Sequence, residues 1–211
     1  MKLKKIEILS FVIVLATFVA GILVYPHMPE RIASHWGANG QVNGYMGKFW
    51  GTFFLPVIML ACALLFLTII RIDPKKQNIE KFRKYFNMFI LTFLLFFSYI
   101  YALIIFNNFG YQFNMLQFLA PALAVLFFVV GTMIKHAEPN WTIGIRTPWT
   151  LSNEEVWYKT HQLGGKLFQI VAVISLLGII MPQYAVWVII LPVLAVALFL
   201  VLYSYLEYRK K

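Results

Sequence analysis

The sequence is poor in charge: 12% of its 211 residues are Asp, Glu, Lys or Arg, and only 8 are acidic. Soluble domains carry about 25% charged residues, so a soluble fold of this length would lack polar side chains to cover its surface. There is one cysteine, Cys62, in an apolar run. That excludes a disulfide framework and a thiolate metal cluster. Disorder is excluded too, because 61% of the residues are hydrophobic and 18% aromatic, enough to drive ordering. What remains is an integral membrane protein, whose solvent is lipid.

Six apolar segments are readable, over residues 6–25, 50–70, 85–106, 115–134, 167–181 and 184–206. A helix rises about 1.5 Å per residue, so about 20 residues cross a hydrocarbon core of about 30 Å. Five segments meet that length; the fifth is expected to run back through Gly164 and Gly165. Helices are expected throughout, since an isolated strand leaves its backbone unsatisfied in lipid. The first segment follows a basic start but is too long for a signal peptide and has no A-x-A site after it, so it reads as a retained helix.

Of the 18 Lys and Arg residues, all but Arg31 and Lys48 fall at the two ends or in the second and fourth connections. This alternation is the positive-inside pattern and predicts that both termini are cytoplasmic. The net charge of +10 then comes from topology and attraction to anionic lipid. No separate basic patch remains for direct nucleic-acid binding.

The spans also lack buried charge. Every acidic residue sits at a span end or in a loop, and no Lys or Arg is mid-span. Coupled transporters keep ionisable groups near the midplane, so their absence argues against a pump or coupled carrier. The polar residues within spans, Thr17, Thr92, Ser98, Gln117, Gln169 and Ser175, read as interhelical hydrogen-bonding groups worth about 1 kcal/mol or less each. Ala16 and Ala20, at small-xxx-small spacing, read as a close-packing pair.

The first connection runs from Tyr25-Pro26 to Lys48. Its prolines stop the first helix, and its four glycines and two asparagines predict turns with positive φ. Trp36, Tyr45 and His35 among them suggest a compact cap on the membrane with aromatics at headgroup level. His27, Glu30, His35, Trp36 and Tyr45 are its candidate binding residues. His27, Glu30 and His35 supply only three candidate metal ligands, the bare minimum for a site, so hydrogen-bonded interfacial histidines and no metal are expected.

The fourth connection is the richest: Gly144-Ile145-Arg146-Thr147-Pro148-Trp149-Thr150-Leu151, then Glu154-Glu155-Val156-Trp157, His161, Gly164-Gly165-Lys166. Pro148 forces Thr147 into an extended conformation. Ser152 and Glu155 read as a capping box that starts a helix near Asn153. Glu154, Trp157, His161 and Gly164 then share one helical face, and Glu155 and Lys159 form an i, i+4 ion pair on another. Two readings stay open. One is an amphipathic interfacial helix anchored by Trp149 and Trp157. The other is a docking site in which Arg146, held by the Gly144–Pro148 turn, and Glu154 select a partner. The candidate binding set is Gly144, Arg146, Thr147, Pro148, Trp149, Glu154, Trp157 and His161. His136, Glu138, Glu154 and His161 could be read as a catalytic set, but no nucleophile accompanies them. No enzyme activity and no cofactor are expected.

The string from Gly144 to Leu151, with Glu155-Val156-Trp157, His161, Gly164, Gly165 and Lys166, resembles the signature of the SdpI family of bacterial membrane proteins. The loop from Tyr25-Pro26 through His35-Trp36 to Gly40, Gly44 and Lys48 is similar to a domain of unknown function that often precedes it. Two departures stand out: Ala33 replaces an expected proline, and Asn43 an expected aspartate, which removes a carboxylate from that loop. The resemblance implies immunity to a secreted antimicrobial peptide toxin and signalling by holding a cytoplasmic DNA-binding repressor at the membrane. The segment from Gly144 to Lys166 would face that repressor, and the first connection and neighbouring spans the toxin.

The expected fold class is therefore all-α, a polytopic integral membrane protein with six transmembrane helices in the bacterial cytoplasmic membrane. The expected divisions are 1–49 (first helix and outer loop), 50–134 (helices two to four) and 135–211 (motif loop and helices five and six). A small-solute channel or uncoupled transporter is the alternative. It would need a continuous polar stripe, where the sequence shows scattered Thr, Ser and Gln.

Overall fold

The computed structural model describes residues 5–211; Lys2 and Lys4, part of the basic start, lie outside the described residues. Six segments among the described residues are helical, long and apolar enough to cross a membrane: Lys5–His27, Lys48–Ile72, Arg83–Asn108, Met115–His136, Glu154–Ile180 and Pro182–Arg209. They are built from α1 (Lys5–Val24), α2 (Lys48–Ile72), α4 (Arg83–Asn108), α5 (Met115–His136), α7 (Glu154–Ser175) with the short α8 (Leu177–Ile180), and α9 (Ala185–Arg209). Two further short helices, α3 (Lys76–Lys81) and α6 (Pro148–Ser152), lie in the connections. The protein is a multi-pass membrane protein. Its outward apolar side chains, such as Ile180 at 74% and Leu198 at 72% exposed, suit hydrocarbon rather than water as their neighbour, and helices satisfy most of the spanning backbone internally.

The fifth span extends much further back than the apolar run from 167. Helix α7 starts at Glu154, so the polar stretch from Glu155 to Lys166 is part of the spanning rod. It is not a separate helix lying in the interface. Asn153 caps it, its side chain accepting from Val156 N at 3.1 Å. The expected Ser152–Glu155 capping box is absent, because Ser152 Oγ instead donates to Pro148 O within α6 at 2.6 Å.

Helices α5 and α7 touch through their backbones. A Cβ on Gly131 would lie 2.7 Å from Gly165 O, and one on Gly165 would lie 2.7 Å from Gly131 O. Helix α1 buries Ser10, Val14, Thr17 and Gly21. Ala16 faces outward, so the close-packing stripe is offset from the Ala16–Ala20 pair because Gly21 is the residue beneath the Tyr101 hydroxyl. Neutral hydrogen bonds cross between helices at Thr17, Ser98, Gln117 and Gln169, whereas Ser175 Oγ donates within its own helix to Val171 O at 2.8 Å. Thr17 Oγ1 and Ser98 Oγ are 3.3 Å apart, Gln117 Nε2 donates to Ile179 O at 3.0 Å, and Gln169 Nε2 donates to Thr132 Oγ1 at 3.2 Å. Phe86, Ile90 and Leu94 of α4 form the core with Met59 and Ala63 of α2, Met133 of α5 and Trp157 of α7.

At one end of the bundle the chain forms a β-hairpin. Strand β1 (Arg31–Trp36) pairs antiparallel with β2 (Val42–Gly47), matching Ile32 with Met46 and Trp36 with Val42. Only Gly40 of this segment has positive φ, at +76°, so the expected series of glycine turns reduces to one. The cause is local: residues 37–40 form a turn closed by Gly40 N donating to Gly37 O at 2.9 Å, with Gly37 N donating to Gln41 O at 2.8 Å, and Gly40 alone takes the left-handed conformation that leads into β2. The hairpin is seated by Ile32, fully buried over Gly51, where a Cβ would come within 2.6 Å of it. The Asn108 carboxamide closes the seat, accepting from Ala33 N at 2.8 Å and donating to Ala33 O at 3.2 Å.

Candidate functional site

The opposite end carries the basic connections, and there the motif segment folds as a closed knot. Asn140 is 2% exposed. Its Oδ1 accepts from Thr142 N at 2.9 Å and Ile143 N at 2.6 Å, and its Nδ2 donates to Glu138 O and Ile143 O, each at 2.8 Å. Buried Asp73, from the second connection, accepts from Lys75 N at 2.7 Å, Trp141 N at 3.1 Å and Thr142 Oγ1 at 2.6 Å. Asn78 Nδ2 adds a bond to Pro139 O at 2.7 Å. The second and fourth connections are thus one unit. Sequence reading missed Asp73, Asn78 and Asn140; the available signal was the sequence's one aspartate, placed before a proline in a mainly basic connection.

Gly144 has φ +119°, and a Cβ there would lie 2.4 Å from His161 Nε2. This close approach lets the backbone lie on the imidazole. Ile145 N donates to His161 Nε2 at 3.0 Å, so Nε2 is the acceptor and Nδ1 carries the hydrogen that goes to Trp157 O at 2.8 Å. His161 stacks on Trp157 with centroids 3.9 Å apart, and Trp157 Nε1 donates to Ala137 O at 2.8 Å. Trp157 is 0% and His161 1% exposed. Trp157 is therefore a core residue, which overturns its reading as an interfacial anchor. Gly164 makes room for Ile145, whose Cδ1 would lie 2.4 Å from a Cβ there.

The turn that follows is capped within itself. Thr147 N donates to Thr150 Oγ1 at 2.9 Å and Thr150 N to Thr147 Oγ1 at 3.2 Å, so the capping box belongs to α6 rather than α7. Thr147 Oγ1 also meets Ser204 Oγ of α9 at 2.9 Å. Trp149 rests half-buried against Tyr205, centroids 5.0 Å apart. Beside these, Glu155 and Lys159 pair at 3.0 Å as expected, and Lys159 reaches Glu207 at 3.1 Å. Lys210 pairs with Glu207 and Lys211 with Glu155, drawing the C-terminal residues onto α7. At the same end Glu7 of α1 meets Arg71 at 3.2 Å and Arg83 at 3.8 Å.

Of the candidate inner residues, Thr147, Trp157 and His161 face inward, Gly144 and Trp149 are half-buried, and Arg146, Pro148 and Glu154 are exposed. Arg146 is directed by its Nη1 bond to Trp141 O at 2.6 Å. Trp141, 51% exposed, lines with Lys75, Asn153 and Glu154 a pocket of about 220 Å³. At the hairpin end the candidates do not converge. Glu30 pairs with Lys48 at 3.4 Å, His35 Nδ1 meets Asn43 Oδ1 at 2.5 Å, Tyr45 lies under Arg31 at 5.4 Å, and His27 is exposed. No group of three His, Cys, Asp or Glu able to hold a metal exists among the described residues.

Residues 12–60 match a domain of unknown function, DUF1648. Residues 136–205 match the SdpI/YfhL protein family. A protein of Bacillus subtilis (strain 168) named "Immunity protein SdpI" is 30% identical over 207 residues, covering 98% of this chain and 97% of that protein. The chain belongs to the SdpI/YfhL family. No solved structure matches it. The family match to 136–205 begins at the end of α5 and takes in the knot, α7 and most of α9, and so covers the elements that Gly164, Gly165 and Ser204 hold together.

Proposed function

We propose that this protein gives its bacterium immunity to a secreted antimicrobial peptide, meeting the peptide at the hairpin end and reporting it through the knot at the basic end. The reading is carried by the likeness to a protein named for immunity over 98% of the chain, which takes in both ends of the bundle. The basic end is cytoplasmic in this reading, because the Lys and Arg residues gather there. Residues 1–49 then present the outer surface, 50–134 the bundle body and 135–211 the inner surface.

The inner surface offers Trp141, Arg146, Pro148 and Glu154 to a cytoplasmic repressor, with Trp157 and His161 holding their shape from beneath. A peptide bound outside can shift that surface only by as much as its affinity differs between two arrangements of the bundle. The chain acts by binding and has no enzymatic step.

The test is a co-culture. Cells lacking the gene are grown beside the parent strain, with and without a plasmid copy. Death of the deleted cells and rescue by the copy are expected; equal survival of deleted and parent cells overturns the immunity reading. Orientation is tested by single cysteines in place of exposed Ala38 and exposed Leu151 in a Cys62→Ser background. An impermeant maleimide labels position 38 and spares position 151 in intact cells; the reverse overturns the orientation.

A further inference from the structure

Two chambers at the hairpin end share one wall, Trp36. The first, about 320 Å³, lies under the hairpin between α2, α4 and α5 and is lined by Trp36, Met46, Trp50, Phe54 and Leu119. The second, about 560 Å³, is lined by Trp36, Gln41, Asn107, Gln112 and Asn114. One is apolar and the other is walled by carboxamides. Neither is lined by any Lys, Arg, Asp or Glu. The indole N–H of Trp36 is buried and has no acceptor among the described residues.

We infer that these chambers form one binding site for an uncharged apolar segment of a peptide, its side chain in the apolar chamber and its backbone against the carboxamides. This rests on the immunity reading and names the site within it. Carboxamides both donate and accept, as a backbone amide does, whereas a phosphate or a charged side chain calls for an opposite charge. The cations of this end are engaged elsewhere: Lys48 lies at Glu30 and over Tyr25, and Arg31 lies over Tyr45. An apolar lining with a few convergent polar groups is the usual make-up of a ligand pocket. Of the hairpin candidates, Trp36 alone lines both chambers; the rest of the proposed site lies on α2, α4, α5 and the loop before α5.

The test places p-benzoylphenylalanine at Leu119, with Leu198 on the lipid-facing side of α9 as control. Cells are irradiated in the low-mass peptide fraction of the parent's own spent medium. A peptide adduct at position 119 and not at 198 is expected. It is lost when Gln112→Glu, in the exposed loop, puts a charge in the polar chamber. Leu119→Trp, which fills the apolar chamber, and Gln112→Glu are each expected to leave membrane levels of the protein unchanged and to give roughly tenfold fewer survivors in the co-culture, as loss of one good contact does. A phospholipid adduct alone, or no adduct, overturns the proposal. So does full protection by both variants where deletion kills, which leaves the immunity reading standing. Survival of the deleted cells defeats the immunity reading itself.

Discussion

At the basic end, the Asp73 carboxylate and the Asn140 carboxamide each engage three or more partners, and the motif backbone lies directly on a stacked Trp–His pair. At the hairpin end a single carboxamide, Asn108, pins strand β1, an indole N–H has no partner among the described residues, and two chambers stand open nearby. The contrast separates two meanings of an unusual sequence string. The Trp, Pro and Gly residues of the motif are used mainly to close a structure, and few of them remain to touch a partner. The plainer residues around the hairpin leave room.

The contrast breaks most severely at Gly165. Gly165→Val would drive a side chain into Gly131 O and Lys135, both within 2.7 Å of the Cβ position. A loss of more than about 3 kcal/mol, the upper end for overpacking, is expected, read as failure to recover folded protein in detergent. Trp157→Ala comes next. It empties a site with 0% exposure and is expected to cost about 3–5 kcal/mol in denaturant unfolding. Asp73→Ala leaves Trp141 N–H and Thr142 Oγ1 without their acceptor and should cost about 1–3 kcal/mol; faster proteolysis of the 137–147 loop would show that the staple is local. Glu30→Ala, at the hairpin end, removes an ion pair whose carboxylate is 88% exposed and should cost about 0–1 kcal/mol by the same unfolding measurement. A Glu30 effect as large as that of Asp73 would erase the distinction between the two ends.

The six spans were legible because hydropathy over twenty residues needs no knowledge of neighbours. The start of a helix near Asn153 was legible as well; its unbroken run into the fifth span was not, since Glu155, Lys159 and Lys166 look like a separate polar helix until Glu207 and Lys211 are seen beside them. Trp157 was misread because amphipathic spacing gives the same pattern whether the partner is a headgroup layer or another helix. The first connection was legible as a compact cap but not as a hairpin, since four glycines pointed to turns while Gly44 and Gly47 proved to lie in β2. Asp73 could not be assigned from the sequence, as its partners stand 68 and 69 residues away.

That last separation sets an order of construction. A chain entering the bilayer from its N-terminus delivers Asp73 with the second helix, while Thr142 emerges only after two more spans have crossed, and the imidazole that supports Ile145 comes later still. Long-range closures of this kind wait for their distant half. The knot at the basic end therefore waits for residue 161, α9 adds its bond from Ser204 to Thr147 later still, and a polypeptide truncated before residue 161 would leave a carboxylate stranded at a half-built floor.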